Sequence, residues 1–89
     1  MVLTPQRRSE FELMMDILKS LQAGPLKPTR LMYNANTRYT RMAELASKLE
    51  KAGLIKSINY SDMHYAYSLT SEGFEILKRY LSIEAALGY

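Results

Sequence analysis

The chain contains no cysteine, which excludes disulfides, thiolate metal sites and a cysteine nucleophile. It has one histidine, His64, with no nucleophile beside it in sequence and few partners for a metal; it reads as an exposed loop residue. There is no phosphate-binding glycine loop, no metal-ligand cluster and no nucleophile–base pair. We therefore assign no catalytic residue, no cofactor, no metal and no small-molecule substrate. No apolar run approaches the ~20 residues of a membrane span. The opening residues MVLTPQRR lack the apolar stretch of a signal peptide, so a cytoplasmic location, with no membrane partner, is expected.

What is present is one small, partly basic domain. At 89 residues there is room for a single compact unit, and a core this thin favours dimerisation. The apolar fraction of 47% is that of a folded protein. The net charge is +3, but it is unevenly spread: residues 24–56 hold seven basic and two acidic side chains, and the remainder holds five basic and seven acidic ones. A positive field confined to the middle of the chain suits a polyanion such as DNA, although a solvated basic face would look the same.

Local signals divide the chain into six elements. Ser9 and Glu12 form a capping box, and apolar residues at Phe11, Met14, Met15, Ile17, Leu18 and Leu21 follow with helical spacing. Gly24 and Pro25 stop this first helix, giving about 9–23. Pro28 opens a second, short helix whose buried side is Leu31, Met32 and Ala35 and which ends near Asn34 or Asn36. Thr37, with Thr40 as competitor, is the expected N-cap of a third helix. Its apolar face is Met42, Leu45, Ala46 and Leu49, and Gly53 caps its end. From residue 55 to 69 the period changes to two, with Ser61–His64 as a hairpin loop. Thr70 starts a fourth helix over 70–87. Phe74, Leu77 and Leu81 form one stripe on it; Ile76, Tyr80, Ile83 and Leu87 form a second, heptad-like one. The six methionines (Met14, Met15 and Met42 among them) read as core packing. The first eight residues are expected to be loose, and residues 9–87 to form the domain.

The order helix, helix, helix, strand, strand, helix defines a mainly α, α+β chain. It resembles a winged helix-turn-helix domain. The run Lys27-Pro-Thr-Arg-Leu-Met-Tyr33, then Ala35-Asn36, then Leu49-Glu-Lys-Ala-Gly-Leu-Ile55, then Leu69-Thr-Ser-Glu-Gly73, is similar to small archaeal winged-helix transcriptional regulators. Some of those relatives are abundant DNA-binding proteins that dimerise through a long C-terminal helix. The resemblance covers about residues 9–82. The final helix is short for an extended coiled coil, and Arg38 and Arg41 make the start of helix 3 more basic than the resemblance requires.

The resemblance implies that helix 3 enters the major groove with its N-terminal residues on the base edges. Arg38 and Arg41, three apart, would share one face and suit guanine. Thr37 and Thr40 would donate to phosphate, and Tyr39 would stack on sugar or pack under helix 2. Ser47 and Lys48 would extend the face along the groove, while Lys27 and Arg30 at helix 2 would meet phosphate. The wing, with Tyr60, Ser61, Met63 and His64, lacks an arginine or lysine for minor-groove insertion, so only a weak backbone contact is expected of it. Ile76, Tyr80, Ile83 and Leu87, together with helix 1, would supply a homodimer interface. The expected partner is double-stranded DNA, read by a transcriptional regulator acting at the nucleoid. The alternatives are a weakly specific chromatin-type binder and a winged-helix protein-interaction module.

Overall fold

The computed structural model describes residues 8–62 and 64–89. The expected loose N-terminal segment lies outside the described residues except for Arg8, and so does Met63 of the expected wing loop. The elements run α1 (Glu10–Ser20), α2 (Pro28–Asn34), α3 (Tyr39–Lys51), β1 (Ile55–Ser61), β2 (His64–Leu69) and α4 (Ser71–Leu87).

The Ser9 capping box forms in full: Ser9 Oγ accepts from Glu12 N, and Glu12 returns to Ser9 N, both at 3.0 Å. The backbone hydrogen bond from Ser9 holds the Glu12 carboxyl below its ordinary value. The first helix is shorter than the 9–23 expected. It ends at Ser20, with Leu21 as C-cap, because the chain tightens into i→i+3 turns from Lys19 to Gly24 before Pro25 is reached.

The turn between α2 and α3 explains why the chain breaks there and restarts at once. Asn36 is left-handed, with φ 55°. Asn36 N donates to Tyr33 O and Thr37 N donates to Met32 O, which is the paired closure of a Schellman motif. The Thr37 amide is thus consumed in ending α2. The N-cap of α3 falls one residue later, on Arg38 in extended conformation, and no side chain caps the helix. The expectation of a threonine cap at Thr37 or Thr40 is corrected accordingly. At the far end, Gly53 (φ 79°) and Leu54 repeat the closure on Glu50 and Leu49.

The strands pair antiparallel from Ile55 opposite Leu69 to Asn59 opposite Tyr65 and Ser61 opposite His64, with an irregularity between Asn59 and Ser61. Ser61 and His64 therefore belong to strands, not to a loop, and Ser61 Oγ lies 3.0 Å from His64 Nδ1. A third rung was not legible in the sequence: Leu26 exchanges both backbone hydrogen bonds with Tyr67 at 3.0 and 2.9 Å, tying the α1–α2 connection to the hairpin.

One core joins all the elements. Ile17, Leu18, Leu31, Met42, Leu45, Ala46 and Leu77 are fully buried; full burial of each large aliphatic chain stabilises by about 1.5–3 kcal/mol. Ile55 of β1 and Tyr67 of β2 join the same core. Leu13 is buried and Phe11 is exposed, so the inner face of α1 is turned from the one the spacing indicates. Phe74 is also exposed, while Leu77 of the same stripe is not. The start of α4 is set by a close approach. A Cβ on Gly73 would stand 2.0 Å from Leu54 O, and Thr70 Oγ1 both accepts from Gly73 N and donates to Gly53 O. No helix among the described residues is long and apolar enough to cross a membrane.

Candidate nucleic-acid interface

The basic middle of the chain folds into two adjoining faces. The first is the α2–α3 turn and the start of α3. Asn36, Thr37, Arg38, Thr40, Arg41 and Glu44 line a shallow hollow there. Among the described residues, no hydrogen bond or ion pair engages the side chains of Thr37, Arg38 or Thr40. The unpaired amides at this helix start carry the positive end of the helix dipole. Arg38 is the N-cap, just ahead of the helix, and lines the same hollow as Arg41.

Arg41 is held differently. Its Nη1 donates to Glu44 Oε1 at 2.8 Å, and its Nη2 lies 3.6 Å from Glu10 Oε1. Lys48, two turns along, donates to Glu10 Oε2 at 2.8 Å. One carboxylate at the start of α1 thus spans two cations of α3. The hydrogen bond from Lys48 keeps the Glu10 carboxyl below its ordinary value. The hydrogen bond to Glu44 raises Arg41 above its own. These groups are solvent-exposed, so the pairs contribute little to stability. Ser47 is exposed on the same helix.

Tyr39, the first residue of α3, is 46% exposed and leans toward β2 rather than under α2: a hydrogen bond with Tyr65 raises its hydroxyl pKa. Tyr65 meets Tyr67 edge to face, with centroids 5.5 Å apart. Burial raises the Tyr67 hydroxyl strongly. The three hydroxyls lie near one another, Tyr39 at the start of α3 and Tyr65 and Tyr67 on β2.

Arg8 was missed as a structural residue. Its guanidinium donates to Asp16 Oδ2 at 2.7 Å, to Ala35 O at 2.8 Å and to Asn36 O at 2.5 Å. It therefore locks the helix-turn-helix corner onto α1. An arginine ahead of a capping box carries no sequence signal for contacts 27 and 28 residues away.

The second face lies between α2 and the hairpin. Lys27, Arg30 and Asn34 line two adjoining hollows, one walled by Tyr33 and the other by Tyr60. Among the described residues, Lys27 and Arg30 make no ion pair. Of the expected wing residues, Tyr60 belongs to this face, and His64 is exposed beside Ser61. Ile76, Ile83 and Leu87 of α4 are exposed. Tyr80, of the same stripe, is half-buried against Phe11 at 5.7 Å, with the Lys19 ammonium 5.3 Å from its ring centre.

Residues 7–87 match the sequence profile of the family described as winged helix-turn-helix. No curated protein sequence matches the chain. Several solved structures do. The transcriptional regulator BldR from Sulfolobus solfataricus superposes with a TM-score of 0.76 at 22% identity, over 84% of this chain and 55% of that one. The Staphylococcus aureus MepR–DNA complex gives 0.73 at 19% identity, over 84% and 64%. Sso10a-2, a DNA-binding protein from Sulfolobus solfataricus, gives 0.72 at 23% identity, over 90% and 85%. At these identities the likeness is one of fold, and the chain spans a little over half the length of BldR.

Proposed function

The chain belongs to the winged helix-turn-helix family, and we propose that it is a DNA-binding transcriptional regulator that reads the major groove with α3 as a homodimer. The observation that carries this reading is the start of α3. Among the described residues the side chains of Thr37, Arg38 and Thr40 stand there without an internal partner, at a helix end that no side chain caps. Arginine at that place suits bidentate contact with guanine, and the hydroxyls and free amides suit phosphate. Arg41, Ser47 and Lys48 extend the surface along α3. Lys27 and Arg30 flank it, and Tyr60, Ser61 and His64 of the hairpin approach the neighbouring backbone. Such a protein works at the nucleoid, in the cytoplasm.

The dimer reading is supported by the α4 stripe. Ile83 and Leu87 are 59% and 68% exposed, and contiguous exposed apolar surface on a small domain favours association. Two symmetric recognition helices about one DNA turn apart read an inverted repeat.

Selection of random duplexes at moderate salt, followed by sequencing of the bound pool, tests the reading. An inverted repeat with half-sites about 10 bp apart is the expected result. Arg38→Ala should then weaken binding by about 1–3 kcal/mol and relax preference at one base position. A pool with no motif supports the second reading, a weakly specific chromatin-type protein. That reading is favoured by likeness to Sso10a-2, of whose length this chain covers 85%. Failure to retain any duplex at about 100 mM salt, where the Debye length is about 10 Å, sinks both and leaves a protein-interaction module.

A further inference from the structure

We propose that the surface formed by Lys27, Arg30 and Asn34 and the two hollows that adjoin there is a binding site for single-stranded nucleic acid, with Tyr33 of α2 and Tyr60 of the hairpin as stacking platforms. Tyr60 owes its position to the irregular pairing of the strands. Asn59 pairs with Tyr65 and Ser61 with His64, so Tyr60 is the extra residue of a bulge. A bulge re-aims the side chain that it carries. Here it puts Tyr60 over Lys27, Arg30 and Asn34 of α2. Tyr33 stands at the other end of the same three residues. The two rings are 70% and 59% exposed.

The surface between them has the composition that an unpaired strand needs. It is lined by two cations and an amide, and no acidic side chain is among the residues lining either hollow. Arg8, Lys19, Arg41 and Lys48 are each bound to a carboxylate; among the described residues Lys27 and Arg30 are not. Free cations track a phosphate backbone. Exposed aromatic rings cover base faces without regard to sequence. The Asn34 amide offers both a donor and an acceptor to a base edge. In a duplex the base faces are covered by their neighbours, and the two cations alone would serve its phosphates. The faces of the rings can cover base faces only where bases are unstacked. This inference does not rest on duplex reading by α3, because the residues that carry it lie on α2 and the hairpin.

Fluorescence anisotropy with labelled single strands of about 12 nucleotides, oligo-dT and oligo-rU, at about 100 mM salt tests the site. The full chain is expected to bind at least one of them; the tighter of the two identifies DNA or RNA as the natural strand. The Tyr33→Ala/Tyr60→Ala double variant should lose at least about tenfold in affinity, and Tyr33→Phe/Tyr60→Phe should stay within about threefold of the parent. Duplex affinity should change less than about threefold in Tyr33→Ala alone, and the fold of each variant is checked by its melting curve. No single-strand binding by the parent, an unchanged affinity in the double alanine variant, or an equal loss on duplex in Tyr33→Ala each overturns the proposal. Loss of duplex binding in Arg38→Ala with single-strand binding intact would bear on α3 alone.

Discussion

Glu10 and Lys48 are 38 residues apart in the chain, and their side chains meet at 2.8 Å. The same carboxylate approaches Arg41, so the first turn of α1 neutralises part of the charge on the helix proposed to read DNA. A phosphate strand must compete with Glu10 for both cations. Among the described residues Arg38 has no carboxylate partner, whereas Arg41 and Lys48 are already occupied.

Glu10→Gln is expected to tighten duplex binding and steepen its salt dependence. Each additional phosphate contact adds about 0.9 to the slope of log affinity against log salt. Releasing Lys48, with Arg41 still held by Glu44, should therefore add about 1, read from binding isotherms at three or four salt concentrations. An unchanged slope would mean that Lys48 does not face DNA.

Acid should weaken the α1–α3 contact. The Glu10 carboxyl is held below its ordinary value by Lys48 first, so the folded state binds fewer protons than the unfolded state as pH falls. Its stabilising contribution is complete above the unfolded carboxylate value of about 4.3 and is lost as pH drops through the lower folded value. Urea midpoints between pH 7 and pH 3 should fall less steeply in Glu10→Gln than in the parent chain.

Gly73→Ala should destabilise strongly, because its Cβ would meet Leu54 O at 2.0 Å, and that oxygen is already accepting from Thr70 N at 3.1 Å. Relief requires moving α4 or the end of α3. Overpacking of this kind costs about 1–3 kcal/mol or more. Urea denaturation checks it, with Ser71→Ala, on the exposed side of the same turn, expected to stay within about 0.5 kcal/mol.

Arg8→Ala should loosen the helix-turn-helix corner rather than the core. The three hydrogen bonds of the guanidinium end on one side chain and two carbonyls. Partial exposure limits their combined worth to about 1–2 kcal/mol. Hydrogen exchange should show faster exchange at Asn36 and Thr37, with Leu18 and Leu45 little changed. Equal acceleration at all four amides would assign Arg8 to global stability instead.

Much of the architecture was readable from local chemistry. The Ser9 capping box, the glycine and asparagine closures at Asn36 and Gly53, the change of period after Leu54 and the Thr70 cap are signals spanning three to six residues. Each sets a backbone conformation by short-range hydrogen bonding and sterics, whatever the rest of the chain does. That is why the element order and the family resemblance were legible. Tertiary structure decided which charges are free. The sequence presents Arg38 and Arg41 as an equivalent pair; folding leaves Arg38 unpartnered and binds Arg41 to Glu10 and Glu44. It also turned Leu13 inward and Phe11 outward, brought Leu26 beside Tyr67, and set Tyr60 out of the hairpin by a bulge. These outcomes depend on how helices and strands pack in space. Side chains far apart in sequence compete there for the same neighbours, and no local pattern records which of them prevails.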